Sequence, residues 1–205
     1  MPIPLLIYTL PKVKISSGNL ASGVTKAILR KKAISTFGHI QDNILGNKIL
    51  DIGMGAGGIS YYLKEQGFDV TGINVNNFSL YEALKPIIYD GHTIPFEDKT
   101  FDTAILVHVL HHCENRFEVL NEALRVSKRV IVIEDTYRTK FEHLIVSLND
   151  CLGNFEFFQH KYLTVAEWQN YLKKEVIKVV GSKEWSEFTY GLLYGRYIMY
   201  VLERC

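Results

Sequence analysis

A glycine-rich stretch, "ILDIGMGAGGIS" at residues 49–60, carries the first chemical signal in this chain of 205 residues. Gly53, Gly55 and Gly58 form a G-x-G-x-x-G pattern, which is typical of dinucleotide-binding turns. The same stretch also forms D-x-G-x-G-x-G, in which Asp51 comes first and Gly57 is the third glycine. Glycines between a strand and a helix let backbone N–H groups approach a ligand closely. The glycines alone therefore predict a ligand-binding turn without identifying the ligand.

The carboxylate of Asp51 distinguishes between two kinds of ligand. A dinucleotide would bring an anionic pyrophosphate to this turn, and a nearby carboxylate would repel it. S-Adenosylmethionine (SAM) has no phosphate, and its methionyl part carries an ammonium and a sulfonium. An NAD site would also need an acid or an arginine after the second strand, and "NVNNFS" has neither. The turn therefore favours SAM over NAD.

Three histidines follow the fourth predicted strand, in the stretch "HVLHH". They are expected at the carboxyl edge of the sheet, where open α/β sheets bind their ligands. Because an imidazole titrates near neutral pH, it is suited to act as a general base. We predict that His111 is a catalytic base and that His112 is a structural histidine under the loop. His108 is expected to belong to the core or to lie just behind the site.

Two carboxylates, Glu134 and Asp135, end the fifth predicted strand at the same edge. We predict a catalytic role for Asp135, which could orient a hydroxyl or amine acceptor or bind a metal together with His111. An alternative stays open, because Asp135 could instead cap the helix that begins near Thr139.

An aromatic run lies further along, in "DCLGNFEFFQHKYLT". Its ring-bearing residues are nearly consecutive: Phe155, Phe157, Phe158, His160 and Tyr162. Aromatic loops can close over apolar or flat substrates. The same residues could equally pack beneath a long connection, so both roles are left open. The segment from Tyr8 to Ser17 is a weaker candidate for a second wall of the site.

The elements that must position these groups alternate between strands and helices. Five apolar strands are predicted in "KILDIG", "FDVTGINV", "PIIYD", "FDTAILVHV" and "RVIVIED". Helices are predicted in "SSGNLASGVTKAILRKKAISTFGHI", "AGGISYYLKEQG", "FSLYEALK" and "NRFEVLNEALRVSK". The first helix has apolar residues at rough helical spacing, namely Val24, Ala27, Ile28, Ile34 and Phe37. Apolar strands alternating with helices indicate a parallel sheet covered on both sides.

The last third of the chain has a different pattern. "TKFEHLIVSLNDCL" predicts a helix with a core-facing stripe of Phe141, Leu144, Ile145, Leu148 and Leu152, and Thr164 opens a further helix in "TVAEWQNYLKKE". "VIKVVGSKEW" and "GRYIMYVLERC" predict two strands separated by about ten residues around Gly191. Because that gap is too short for a crossover helix, these strands should be antiparallel neighbours.

Composition and charge disfavour several classes of partner. The formal net charge is +1, so no overall field attracts nucleic acid or an anionic membrane, and Arg30, Lys31 and Lys32 are predicted to be a solvated helix face. Three scattered cysteines indicate neither a zinc site nor a disulfide framework. No apolar run reaches the roughly 18 residues that span a bilayer, and "MPIPLLIYTL" lacks the features of a signal peptide. We expect a cytoplasmic protein with no membrane partner, no metal and no nucleic acid.

Taken together, these motifs resemble the class I SAM-dependent methyltransferase family. "KILDIGMGAGGISYYL" is similar to the first motif of that family, and "DGHTIPFEDKTFDTAILVHVLHHCEN" to its D-(x)n-P-F-x-x-x-x-F-D-x-(apolar)-L-H-H stretch. "VLNEALRVSKRVIVIED" is similar to the next helix and strand. The resemblance covers about residues 45–135, and the final strands by topology only.

The resemblance implies an α/β fold, a three-layer Rossmann-like sandwich. Its seven-stranded sheet would be mostly parallel, with strand order 3-2-1-4-5-7-6 and an antiparallel last strand. We expect a single domain over residues 1–205. Within it, 1–44 would form an amino-terminal extension and helix, 45–135 the cofactor-binding core, and 136–205 the substrate-side helices and closing hairpin.

The resemblance also implies roles for individual residues around SAM. The implied contacts are Asp51, Gly53, Gly55 and Gly57 with the methionyl part, Asn74 with the ribose, Asp90, Gly91 and His92 with the adenine, and Leu106 and Val107 beside the sulfonium. Asn74 departs from the family pattern, which has an acidic residue there. Since hydrogen bonds to charged groups contribute more than neutral ones, the amide should weaken binding by about 1 kcal/mol, roughly five- to tenfold in affinity. "SKRVIV" also departs, and it should shorten a loop away from the site.

The function implied is transfer of a methyl group from SAM to a small organic acceptor. Two alternatives stay open. The basic cluster Arg30–Lys32 would suit methylation of RNA or protein, and the amide at Asn74 would suit a methyltransferase-like binding module without catalysis.

Overall fold

The structure is a computed structural model that describes residues 20–154, 161–175, 177–189 and 193–204. Within these ranges the strands are β1 (Lys48–Ile52), β2 (Asp69–Asn74), β3 (Ile87–Ile88), β4 (Phe101–Val107), β5 (Ser127–Asp135), β6 (Ile177–Thr189) and β7 (Leu193–Arg204). The helices are α1 (Leu20–Ile40), α2 (Gly58–Glu65), α3 (Arg116–Val126), α4 (Lys140–Asn154) and α5 (Val165–Lys174). Short 3-10 turns cover Gln41–Asn43 and Leu110–His112.

All seven strands form one sheet in the order β3-β2-β1-β4-β5-β7-β6. Strands β1 to β5 pair in parallel, and β7 pairs antiparallel with both β5 and β6. The predicted fold class and strand order are therefore confirmed. Because β1, β2, β4 and β5 are parallel, their carboxyl ends meet at one edge of the sheet, as the sequence analysis expected of the candidate site.

The core explains why the central strands are continuously apolar. Leu50 and Ile52 of β1 pack into a cluster with residues of α3 and α5, including Trp168. Ile49, on the opposite face of the same strand, joins a second cluster that includes Ile40 of α1. Neighbouring strand residues point to opposite faces, and both faces are covered, so neither face needs polar residues.

Local hydrogen bonding explains a prediction that was wrong, the short helix over "FSLYEALK". Residues 78–85 form turns without helix. The Asn77 side chain accepts a hydrogen bond from the backbone N–H of Ser79, and the Ser79 hydroxyl accepts one from the N–H of Tyr81. Asn and Ser side chains that bind nearby backbone in this way compete with helix formation.

The predicted core-facing stripe of α4 was also wrong. Phe141, Leu144 and Leu148 are 70%, 64% and 46% exposed, whereas Val146 is buried at 2%. Helix α4 packs on β7, and Glu142 on this helix forms an ion pair with Arg196 of β7 at 3.0 Å. That contact turns Val146 inward and the larger apolar side chains outward. Ile145 is partly buried, and the Leu152 side chain lies outside those the structure describes.

In helix α1, too, most of the residues at the predicted apolar positions are not the buried ones. Val24, Ile28 and Ile34 are exposed, and the buried positions are Ala33, Thr36 and Ile40. Ala27 is exposed as well, while Phe37 is partly buried and packs on the second core cluster. The helix packs on α2 through Leu29 against Gly58 and Phe37 against Tyr62.

Other local predictions were confirmed. The Thr164 side chain and Glu167 form a capping box at the start of α5. β6 and β7 form a hairpin, and α3 leads directly into β5 without an intervening loop. Arg30 is paired with Glu65 of α2, and the neighbouring Lys31 and Lys32 are exposed. Among the described helices, none is both long and apolar enough to cross a bilayer.

Candidate active site

The glycine-rich turn after β1 has a backbone conformation that residues other than glycine rarely adopt. Gly53, Gly55 and Gly57 have φ angles of +73°, +51° and +84°. A Cβ atom on Gly53 would lie 2.7 Å from the Val109 side chain, so this position also requires close approach. At Gly55 the nearest heavy atom would be 3.9 Å away, so only the backbone conformation requires glycine there.

Gly57 and Gly58 have different roles in the turn. Gly57 precedes α2 in the left-handed conformation, whereas Gly58 is the first helical residue and has no such φ. A Cβ on Gly58 would lie 3.1 Å from the Cβ of Leu29 in α1. Gly58 is therefore a packing position between two helices, which makes the D-x-G-x-G-x-G pattern the better description of the turn.

Asp51 is buried beneath this turn, with 1% of its surface exposed. Its Oδ2 accepts a hydrogen bond from the Ser60 hydroxyl of α2. Burial raises the pKa of the Asp51 carboxyl to about 6, and the hydrogen bond from Ser60 offsets this only in part. A cation brought to this turn would stabilise the ionised form of the carboxyl.

Asn74 ends β2 and is 8% exposed. Its Oδ1 accepts a hydrogen bond from the backbone N–H of Val75 at 3.1 Å, whereas the buried Nδ2 has no hydrogen-bond partner within the described residues. A buried donor without a partner is uncommon in folded proteins, because it costs free energy. An oxygen of a bound ligand would satisfy this amide, as the predicted ribose contact requires.

Asp90 follows β3 in an exposed turn. Its Oδ1 accepts hydrogen bonds from the backbone N–H groups of His92 and Thr93, both at 2.8 Å. These two bonds hold the pKa of the Asp90 carboxyl below its usual value. Gly91 lies between them with φ +84°, and a Cβ there would lie 3.3 Å from Val75, which follows Asn74. The turn predicted to hold adenine thus lies next to the residue predicted to hold ribose.

His111 has a different environment from the one predicted for it. Its side chain is 2% exposed, and its Nδ1 lies 2.6 Å from Oε2 of Glu134. The other oxygen of Glu134 accepts hydrogen bonds from the backbone N–H groups of Val109 and Leu110 at 2.9 and 2.7 Å. The pair therefore holds the turn after β4 in shape, and this burial argues against His111 as a catalytic base.

The Glu134 carboxyl is stabilised in its ionised form. Burial by itself would raise its pKa, but the positive charge and hydrogen bond of His111 outweigh burial, with help from His108 and the N–H of Leu110. The pKa of Glu134 is consequently lower than usual.

His108 and Asp135 form a second histidine–carboxylate pair at the same edge. Nδ1 of His108 lies 2.7 Å from Oδ2 of Asp135, and the two side chains are 20% and 18% exposed. His108 has φ +55°, and its backbone N–H donates to the carbonyl of Ile133 at 2.8 Å. Burial would raise the pKa of Asp135, but the charge and hydrogen bond of His108 outweigh it and lower that pKa.

This pair changes two expectations. Asp135 does not cap α4, because the N–H of Glu142 donates to the Thr139 hydroxyl at the start of that helix. Asp135 also pairs with His108 rather than with His111. The sequence places two histidines after β4 and two adjacent carboxylates at the end of β5. It does not determine which histidine pairs with which carboxylate.

The remaining candidates lie around these pairs. His112 is exposed, contrary to its predicted place under the loop, and its ring lies 4.1 Å from that of His111. Tyr162 is buried, with its ring 5.2 Å from that of His111. The other aromatic residues of the predicted lid, Phe155, Phe157, Phe158 and His160, and the segment 8–17 lie outside the described residues. Leu106 is fully buried, and Val107 is partly exposed at the end of β4.

Metal ligation was considered for Asp135 with His111. In the part of the chain that the structure describes, no three His, Cys, Asp or Glu side chains converge as a metal site requires. The acidic and imidazole groups at this edge are instead organised as two separate pairs.

Comparisons with known proteins identify proteins to which this chain is similar. A family model described as "Methyltransferase domain" matches residues 50–130. A sarcosine/dimethylglycine N-methyltransferase from Aphanothece halophytica is 34% identical over 113 residues, which are 47% of this chain and 41% of that protein. A ubiquinone biosynthesis O-methyltransferase from Rickettsia bellii is 31% identical over 109 residues, 48% of this chain and 45% of that protein. The chain thus matches less than half the length of these curated relatives.

A solved structure extends the comparison to the whole fold. A SAM-dependent methyltransferase from Methanosarcina mazei superposes with a TM-score of 0.66 and 20% identity, covering 80% of this chain and 96% of that one. The matched region, residues 50–130, contains the glycine turn, Asn74, Asp90 and the three histidines. Residues 50–130 thus match a methyltransferase-domain family model, and the chain has the fold of a solved SAM-dependent methyltransferase.

Proposed function

We propose that this chain transfers a methyl group from SAM to a small organic acceptor. The observation that carries the proposal is the buried carboxylate of Asp51 beneath a left-handed glycine turn. That carboxylate has a raised pKa, and among the described residues no cation forms a hydrogen bond with it. A ligand with an ammonium group and no phosphate suits this turn, because such a ligand would stabilise the ionised carboxyl without repulsion.

The residues present fit SAM along its whole length. Asp51 and the backbone of Gly53, Gly55 and Gly57 would hold the methionyl part, and the buried Nδ2 of Asn74 would donate to a ribose hydroxyl. Asp90, Gly91 and His92 would hold the adenine, with Leu106 and Val107 bordering the sulfonium. When bound, SAM supplies a methyl carbon that its sulfonium activates toward nucleophiles. The protein's own contribution is then alignment of the acceptor and exclusion of water.

The relatives support a small acceptor without identifying it. One matched relative is named for sarcosine and dimethylglycine and another for ubiquinone biosynthesis. The net charge of +1 offers no field for a polyanionic substrate. Arg30, the first residue of the basic cluster, is already paired with Glu65. Methylation of RNA or protein therefore has less support than methylation of a small molecule.

Parallel calorimetric titrations with SAM, S-adenosylhomocysteine and NAD test this proposal. We expect saturable micromolar binding of the first two compounds and none of NAD. Absence of binding by both sulfur nucleosides would overturn the proposed activity. Binding without turnover of any acceptor would favour the alternative of a binding module.

The substitution Asn74→Asp tests the ribose contact. An aspartate can keep the bond from the Val75 N–H and present a charged acceptor to the ribose hydroxyls. Because charged hydrogen bonds are stronger, we expect SAM to bind about five- to tenfold more tightly. Unchanged or weaker affinity in the same calorimetric titration would show that the ribose is not held at this position.

A further inference from the structure

We propose that His108, oriented by Asp135, is the base that removes a proton from the methyl acceptor, which is therefore an O–H or N–H compound. This inference rests on the proposed function and deepens it. It favours phenol, alcohol and amine acceptors over nucleophiles that have no proton to lose, such as thioethers and alkenes.

The backbone of His108 gives the first argument. Its φ of +55° lies in the left-handed region, which is costly for a residue with a Cβ. Among the described residues, Lys99 is the other non-glycine residue with a positive φ. A glycine would relieve this strain, so packing alone does not explain an imidazole here. Strain of this kind is found where a side chain must be held in a particular place.

The orientation of the ring gives the second argument. Nδ1 faces Asp135 at 2.7 Å, so Nε2 lies on the far side of the ring, away from that carboxylate. The side chain is 20% exposed, whereas that of His111 is 2% exposed. With Asp135 accepting the Nδ1 proton, the neutral ring has its basic lone pair on Nε2. This geometry is the one in which a carboxylate orients a histidine base.

The position of His108 gives the third argument. It follows the last residue of β4, a strand that pairs with β1 on one side and β5 on the other. The next residue, Val109, packs directly against Gly53 of the glycine turn. His108 is thus adjacent to the element predicted to hold the methionyl part of SAM.

The step balances without any further reactant. The acceptor O–H or N–H bond gives its proton to Nε2 of His108, and the freed electron pair forms the bond to the methyl carbon. The bond between that carbon and sulfur breaks, its electron pair stays on sulfur, and S-adenosylhomocysteine is released. The imidazolium is stabilised by Asp135 and returns its proton to solvent through the exposed part of the ring.

Several charged and titratable groups surround the His108 ring. Asp135 and Glu134 approach from β5, His111 from the turn after β4 and Tyr197 from β7, with ring centroids of Tyr197 and His108 5.5 Å apart. Lys32 of α1 adds a positive charge that acts on Asp135.

A probe that reports its own ionisation tests the inference without the natural acceptor. 4-Nitrophenol absorbs visible light only as the phenolate, and it is titrated into the full chain saturated with S-adenosylhomocysteine. We expect the pKa of the bound phenol to be about one to three units lower in the wild type than in His108→Gln. Asp135→Asn should lose most of this effect, and Asp135→Glu should restore part of it, as expected of a positioning residue.

Controls separate this inference from the proposed function. Asp98→Asn changes an exposed carboxylate that pairs with Arg125 away from the site, and it should leave the phenolate signal unchanged. If His108→Gln does not fold, His108→Gly suits the observed φ and replaces it. Loss of S-adenosylhomocysteine binding in the wild type would overturn the proposed function. Retained binding with no phenolate signal, or with equal signals in wild type and His108 variants, would overturn the inference alone.

Turnover gives a second readout. With SAM and a panel of 3,4-dihydroxybenzoate, sarcosine and dimethyl sulfide, only the first two carry a proton to be removed. We expect methylation of a proton-bearing compound, slowed about 10²- to 10⁴-fold by His108→Gln. Methylation of dimethyl sulfide alone, or no slowing in the variant, would contradict the role of His108.

Discussion

The two histidine–carboxylate pairs at the carboxyl edge of the sheet have the same chemistry and different surroundings. His108–Asp135 and His111–Glu134 have Nδ1 to oxygen distances of 2.7 and 2.6 Å. Glu134 also binds two backbone N–H groups, and its pair is almost completely buried. Asp135 makes its side-chain hydrogen bond to His108, and that pair reaches the surface.

This difference shows that residue types and their spacing in the sequence do not determine the role of a histidine–carboxylate pair. A carboxylate whose second oxygen binds the backbone has no freedom to reorient its histidine during a reaction. The His108 side chain is partly exposed, whereas proton exchange at the buried His111 would require the fold to open. We therefore regard His111–Glu134 as the pair that shapes the turn and His108–Asp135 as the reactive pair.

Removal of the buried carboxylate should have the largest effect. Glu134→Ala leaves a buried imidazole and the N–H groups of Val109 and Leu110 without their acceptor. Breaking a buried pair in this way should lower the free energy of unfolding by about 3–5 kcal/mol, measured by urea denaturation. Glu134→Gln keeps an acceptor oxygen for the two N–H groups and should lose less.

The matched variant Asp135→Ala sharpens this comparison. Its pair is partly exposed and holds no backbone group, so its loss of stability should be clearly smaller than that of Glu134→Ala. Equal losses for the two variants would show that both pairs are structural, and the division of roles would be wrong.

Asp51 extends the comparison to a third carboxylate, which is buried and accepts a hydrogen bond from the neutral hydroxyl of Ser60. Its pKa is raised to about 6, whereas those of Glu134 and Asp135 are lowered by their histidines. Between about pH 4 and pH 6 the folded state therefore binds more protons at Asp51 than the unfolded state. This group makes the ligand-free protein less stable as the pH rises through that window.

Replacement by asparagine should remove that penalty. Since one pKa unit corresponds to about 1.4 kcal/mol, Asp51→Asn should stabilise the ligand-free protein by about 3 kcal/mol at pH 7, with little gain at pH 4. The same variant should bind SAM more weakly, because the ammonium loses its counter-charge. Urea denaturation at several pH values measures the first effect and calorimetry the second.

A control of opposite sign exists at the other end of the sheet. Lys128 and the backbone N–H groups of Lys48 and Asn47 lower the pKa of Asp102. Asp102→Asn should therefore destabilise the protein above the usual pKa of aspartate and lose this effect in acid. If Asp51→Asn destabilises the protein at pH 7, as Asp102→Asn should, the carboxyl at position 51 is ionised and stabilised by its surroundings in the folded protein.

Much of the fold could be predicted because its signals are redundant. Each central strand is apolar on both faces, and the short connection between the last two strands allows only an antiparallel pair. The glycine turn was equally predictable, because three left-handed positions in five residues leave little choice but glycine. The strand order came from the resemblance to the family and was confirmed by the observed pairing.

The burial of individual helix faces was less predictable. Helix α4 has large apolar residues at helical spacing, yet Val146 is buried and Phe141 is exposed. The hydropathy pattern gives the spacing of apolar residues along a helix. It does not show which element the helix packs against, and therefore which face is buried. Here the ion pair between Glu142 and Arg196 belongs to the contact with β7, and it fixes a different face toward the sheet.

The pairing at the site could not be predicted for a related reason. Which histidine meets Asp135 depends on the sign of φ at His108, and hydropathy patterns contain no information about it. With an ordinary helical or extended backbone there, a different ring could have faced the carboxylate. The sequence therefore identified the chemical groups at this edge, but not that Asp135 pairs with His108 and Glu134 with His111.

Among these substitutions, His108→Gly should change the free energy of unfolding least. The variant relieves left-handed strain of about 1–2 kcal/mol. The greater freedom of glycine in the unfolded chain, about 0.5–1 kcal/mol, and the loss of a partly exposed ion pair oppose that gain. The net change in the free energy of unfolding should be within about 1 kcal/mol.

The same substitution at His111 relieves no such strain and leaves Glu134 buried without its cation, so it should cost about 3–5 kcal/mol. Thermal and urea denaturation of both glycine variants measure the difference. A residue that can be replaced at little cost in stability, in a conformation that glycine adopts more easily, is kept for something other than folding. A loss at His108→Gly as large as that at His111→Gly would instead mean that the strained histidine is held for packing, and the base would have to be sought elsewhere at this edge.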